Sequence, residues 1–120
     1  MAKILIVDDS PADLKFMQTA LQGTNHVVTA ISDPLQVEAA AAAFLPDLMI
    51  VDVVMPGRNG YEVVRALRKQ PGGAGVKVIF SSSKGNDTDV KWGLRQGADD
   101  YLIKPYTPAQ LIETLARHVT

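Results

Sequence analysis

Apolar positions along the chain fall into two patterns that alternate from one end to the other. Short runs rich in branched residues recur at Ile4 to Val7, His26 to Ile31, Leu48 to Val51, Lys77 to Phe80 and Tyr101 to Ile103. Each has the length and composition of a strand. Two of them, Ile4-Leu5-Ile6-Val7 and Leu48-Met49-Ile50-Val51, are apolar throughout, which suits strands covered on both faces in a parallel sheet. In the intervening segments the spacing is three to four. Leu14, Met17 and Leu21, and again Leu111, Leu115 and Val119, make one apolar stripe on a helix.

Helix starts reinforce the pattern. An oxygen-bearing cap followed three residues later by an acid or glutamine satisfies the orphan N–H groups of a first turn. Ser10 with Asp13, Asp33 with Gln36, Asn59 with Glu62, Asn86 with Asp89, and Thr107 with Gln110 all fit. Pro11, Pro34 and Pro108 take the first helical position, where a missing N–H costs nothing. The reading is an α/β chain of five strands and five helices. The run Ala39 to Ala43 reads as close helix–sheet packing and Pro71 to Gly75 as a helix-to-strand loop.

Length and composition narrow the function. The 120 residues suffice for a single domain spanning 1–120 with one core. The formal net charge of −1 provides no basic field for nucleic acid or an anionic membrane. There is no cysteine, hence no disulfide, thiolate nucleophile or zinc–thiolate site. The N-terminal apolar run stops at two aspartates, and no stretch approaches the ~20 apolar residues of a membrane span, so a cytoplasmic protein is expected.

In an open parallel sheet, ligands bind beyond the carboxyl ends of the strands. There the chain places Asp8-Asp9 after the first strand, Asp52 after the third, Ser81-Ser82-Ser83 after the fourth and Lys104-Pro105 after the fifth. Taken singly, each is an ordinary turn or cap residue. Together, three carboxylates in one crevice repel by about 3 kcal/mol per pair at ~5 Å and an effective dielectric of ~20. Lys104 can neutralise one. A hard divalent cation such as Mg²⁺ can neutralise the others through oxygen ligands. His26 and His118 fall elsewhere and read as ordinary surface or partly buried residues.

These residues, with Met55-Pro56-Gly57-Arg58-Asn59-Gly60 between them, resemble the receiver domains of two-component response regulators. The likeness extends over essentially the whole chain, and the intervals match: Ser82 lies 30 and Lys104 52 positions after Asp52. The resemblance implies a flavodoxin-like, five-stranded parallel sheet of order 2-1-3-4-5 flanked by five helices. It implies that Asp52 accepts a phosphoryl group from a histidine kinase. Asp9, Asp52 and the Val54 backbone carbonyl would hold Mg²⁺ directly, with Asp8 acting mainly through water. Lys104, the Ser82 hydroxyl and the Ser83 backbone N–H would bind phosphoryl oxygens. Tyr101 matches the family's switch aromatic, though a half-buried edge-strand tyrosine explains it nearly as well, and Pro105 would follow a cis peptide bond.

Departures from the pattern carry their own expectations. Serine replaces the frequent threonine at Ser82, and Ser81 replaces a usually apolar residue, which is expected to loosen the loop after the fourth strand. The segment from Asn86 to Tyr101 resembles, more narrowly, stand-alone receivers of pilus-linked chemosensory systems that control twitching motility. With no room for an output domain after the fifth helix, signalling by protein contact is expected, through a partner at the helix 4, strand 5 and helix 5 face. On the fourth helix Trp92 is expected to face inward, leaving Val90, Leu94 and Tyr101 as an exposed apolar patch. A phosphatase of the haloacid dehalogenase type would need a second aspartate where Val54 stands. A flavin-binding module would place its phosphate against Asp8 and Asp9. A degenerate receiver acting only as a binding module would have no need of the full set of site residues.

Overall fold

The computed structural model describes residues 1–119; Thr120, the last position of the expected domain, lies outside the described residues. Five parallel strands, β1 (Lys3–Val7), β2 (Val27–Ile31), β3 (Leu48–Asp52), β4 (Lys77–Ser82) and β5 (Asp100–Ile103), form one sheet in the order 2-1-3-4-5. The helices α1 (Pro11–Leu21), α2 (Val37–Phe44), α3 (Gly60–Lys69), α4 (Asp87–Arg95) and α5 (Pro108–Ala116) connect and follow them. The expected fold is the observed one.

Side-chain alternation along the strands divides the core into two layers. Ile4, Ile6, Leu48, Ile50 and Ile79 point to one face, where they pack against Met17 and Leu21 of α1 and Leu111 and Leu115 of α5. Leu5, Val7, Met49, Val51, Val78 and Phe80 point to the other, against Val37 and Ala41 of α2 and Val63, Val64 and Leu67 of α3. Each such residue, fully buried, contributes about 1.5–3 kcal/mol of transfer free energy. Both faces are covered, which is why β1 is apolar throughout after Lys3 and β3 carries no polar residue before Asp52. The alanine run packs only through Ala40 and Ala41; Ala39, Ala42 and Ala43 face outward.

Four caps act as expected: Ser10, Asn59, Asn86 and Thr107 accept the N–H of Asp13, Glu62, Asp89 and Gln110. Asp33 differs. Its carboxylate accepts the N–H of Leu35, and Pro34–Gln36 form a 3₁₀ turn before α2 begins at Val37. The glycine-rich stretch is a loop containing a second 3₁₀ turn, Gly73–Gly75.

The expectation for α4 requires correction. Trp92 is 50% exposed, and Leu94 is also exposed, at 43%. The position facing the sheet is Gly93, where a Cβ would stand 2.8 Å from the Tyr101 ring and 3.2 Å from that of Phe80. The aromatic rings of β4 and β5 fill the space beneath the helix, so α4 needs no large inward side chain. Val90 is half-buried rather than part of an open patch.

Candidate functional site

The parallel register brings the carboxyl ends of β1, β3, β4 and β5 to one edge, and the polar residues gather there. Asp8, directly after β1, is 0% exposed; Asp52, ending β3, is 8% exposed. Burying these carboxylates requires partners. Asp8 Oδ1 accepts the Ser10 N–H at 2.9 Å and Asp52 Oδ1 the Val54 N–H at 3.3 Å. Their other oxygens face Lys104, whose Nζ lies 2.9 Å from Asp8 Oδ2 and 3.5 Å from Asp52 Oδ2. The Lys104–Pro105 peptide bond is cis.

Charge on Asp52 remains disfavoured. Burial, and next the charge of Asp8, push its carboxyl from 3.8 up to about 6, against the pull of Lys104 and the Val54 N–H. Lys104 moves the same way. Its partial burial disfavours the ammonium, but hydrogen bonds to Asp13 and Asp8 and the charge of Asp52 outweigh this and hold its pKa above the ordinary value.

Carboxylate oxygens of Asp8, Asp9 and Asp52 lie within 4.8 Å of one another. This donor set contains oxygen alone. Such a set fits a hard divalent cation such as Mg²⁺ and has nothing to select zinc. Asp9 is the most open of the three.

The fourth strand supplies hydroxyls. Ser82 is buried and its Oγ accepts the Lys84 N–H at 3.1 Å, while Ser83 is exposed. Ser81, where an apolar residue is usual, has a polar partner: its Oγ lies 2.9 Å from the Tyr106 hydroxyl, and the bond ties β4 to the segment after β5. Tyr101 is half-buried on the edge strand β5, its ring edge-on to Phe80 at 6.2 Å and its hydroxyl donating to the Lys84 carbonyl.

Three features were not legible in the sequence. Asp13, read only as a capping partner, is the carboxylate nearest Lys104, at 2.8 Å. Arg58, in the turn after Asp52, forms a two-pronged ion pair with Glu38 of α2 and also donates to the Pro34 carbonyl, anchoring the β3–α3 loop from outside. Gly60 begins α3 so close to β3 that a Cβ would stand 2.5 Å from the Asp52 carbonyl oxygen. An oppositely charged pair 20 positions apart has no local sequence signal; the glycine of Asn59-Gly60 at least marks where close approach is possible.

Comparison with known families fixes the relationship, because the description of the response regulator receiver domain matches residues 4–116. The chain belongs to that family. Among curated receiver-containing proteins it is 39% identical to Protein PilH of Pseudomonas aeruginosa over 115 residues, covering 96% of this chain and 95% of that protein. It is 36% identical to the DNA-binding response regulator MtrA of Mycolicibacterium smegmatis over 92% of this chain, but spans only 47% of MtrA. Among solved structures, the chemotaxis protein CheY4 of Vibrio cholerae superposes with a TM-score of 0.92 at 31% identity, covering 99% of both chains. The receiver domain of a sensor histidine kinase of Pseudomonas aeruginosa, with a magnesium ion coordinated in its active site cleft, gives a TM-score of 0.88 at 29% identity, covering 98% of this chain and 96% of that one. The receiver family is one of signalling proteins, and the phosphatase and flavin readings are not favoured.

Proposed function

We propose that Asp52 of this receiver accepts a phosphoryl group from the phosphohistidine of a histidine kinase and that the protein signals onward by contact with another protein. The observation that carries this reading is the position of Asp52: a strand-end carboxylate within 4.8 Å of two others and 3.5 Å from a lysine ammonium. Phosphoryl transfer asks chiefly for alignment and charge neutralisation. Asp9, Asp52 and the Val54 carbonyl would hold Mg²⁺ directly, with Asp8 acting mainly through water. When bound, the ion offsets negative charge on the carboxylates and the incoming phosphoryl oxygens. Asp52 Oδ attacks phosphorus in line with the departing imidazole nitrogen, Lys104 pairs with one phosphoryl oxygen, and the Ser82 hydroxyl and Ser83 N–H bind others.

Output uses the α4–β5–α5 side. Exposed apolar side chains stand on each element: Leu94 and Trp92 on α4, Ile103 on β5 and Ile112 on α5. Ser82 moving toward the phosphoryl oxygens makes room for Tyr101 to turn inward and alters that face. Likeness to PilH supports a place in a pilus-linked chemosensory system. Incubation with acetyl phosphate and Mg²⁺, read by intact mass, tests the acceptor: the parent gains one phosphoryl group and Asp52→Asn gains none. A gain that persists in Asp52→Asn overturns the assignment.

A further inference from the structure

An ammonium has three N–H donors, and those of Lys104 face three carboxylate acceptors: Asp13 at 2.8 Å, Asp8 at 2.9 Å and Asp52 at 3.5 Å. On phosphorylation the acyl phosphate takes the place of the Asp52 carboxylate, so its phosphoryl oxygens compete for Lys104 with the other two. Asp8 is fully buried, and its second oxygen is fixed by the Ser10 N–H, so releasing its charge there would leave it without a cation. Asp13 remains. Its side chain is 43% exposed, so water can replace the lysine at small cost. With Lys104, Phe16, Pro105 and Tyr106 it lines an open depression of about 190 Å³, which gives the carboxylate room to swing away.

Resting on the acceptor reading above, we infer that Asp13 is a positioning residue: it holds Lys104 back from Asp52 in the unphosphorylated protein and competes for it with the phosphoryl group that arrives there. The 0.7 Å by which Lys104 is nearer Asp13 than Asp52 is the resting state of this competition. Asp13 also sits in the first turn of α1, its N–H donating to Ser10 Oγ at 3.3 Å, so its release changes the electrostatics of that helix start.

The test is a double-mutant cycle on phosphorylation by acetyl phosphate in excess Mg²⁺. In the transfer the new bond joins Asp52 Oδ to phosphorus, the bond from phosphorus to the acetyl oxygen breaks, and acetate leaves with the electron pair. Asp13→Asn keeps the size of the side chain and removes its charge, and should speed phosphorylation by about two- to fivefold, the scale of one partly exposed ion pair. Asp13→Glu should restore the parent rate. In a Lys104→Met background Asp13→Asn should change nothing, because the effect passes through the lysine. As a readout apart from rate, the Asp13 side-chain carboxyl resonance should move when beryllofluoride is added to the parent. An unchanged or slower rate in Asp13→Asn, an equal gain in the Lys104→Met background, or a static Asp13 resonance overturns the inference. Failure of the parent to take up phosphate would instead overturn the acceptor reading.

Discussion

The Tyr101 hydroxyl donates to the Lys84 carbonyl oxygen across 2.6 Å, so the edge strand β5 is bonded to the loop that leads from Ser82 into α4. Any rotation of the Tyr101 side chain away from this place has to break the bond. Tyr101→Phe removes it while keeping the ring against Phe80, and should cost about 0.5–1.5 kcal/mol in urea unfolding. Because the bond fixes the ring where it packs against Phe80 and beneath Gly93, the same variant should change the affinity for a downstream partner in the unphosphorylated protein. Unchanged basal binding would remove Tyr101 from the signalling element.

Metal affinity separates the two aspartates after β1. Asp9 is open to the crevice, whereas Asp8 is enclosed and already committed to Lys104 and the Ser10 N–H. Asp9→Ala should weaken Mg²⁺ binding more than Asp8→Ala in a calorimetric titration without phosphate. Equal affinities for both variants would refute the ordering.

The strand pattern, the four working caps and the convergence of Asp8, Asp9, Asp52 and Lys104 were legible because they rest on period, local capping chemistry and topology. What escaped depends on shape and on distance along the chain. The inward position on α4 went to Gly93, since the sequence shows which residues share a helix face but not that the Phe80 and Tyr101 rings already occupy the space below. Asp13 carried a sufficient local explanation as a capping partner, and nothing in its neighbourhood marks a lysine 91 positions away. Ser81 looked like a weakness because its partner, Tyr106, arrives from beyond β5.

Acidity gives a third prediction. Burial and the charge of Asp8 raise Asp52 from 3.8 to about 6 in the metal-free protein. An acid whose pKa is higher folded than unfolded binds its proton more tightly in the folded state. Its stabilising contribution is complete below the unfolded pKa and is lost as pH rises through about 6. Urea unfolding in EDTA should therefore show the parent losing on the order of 1–3 kcal/mol, relative to Asp52→Asn, between about pH 4 and pH 7. Parallel stability profiles for the two proteins would contradict this.

Two neighbours on α4 should respond in opposite ways. Leu94 is exposed, so Leu94→Asp removes little buried surface and should shift stability by no more than about 0.5 kcal/mol. Asp52 phosphorylation should persist, and partner binding at the α4–β5–α5 side should weaken. Gly93 is buried against Tyr101 and Phe80, and the methyl of Gly93→Ala would enter space those rings fill. Overpacking of this kind costs about 1–3 kcal/mol, offset by the roughly 1 kcal/mol that alanine gains over glycine inside a helix. The net effect should be a modest loss of stability together with a displaced Tyr101 ring, visible as a change in near-ultraviolet circular dichroism. A large loss in Leu94→Asp would make Leu94 a core residue, and a Gly93→Ala protein with parent-like stability and an unchanged aromatic signal would show that α4 does not press on the Tyr101 ring.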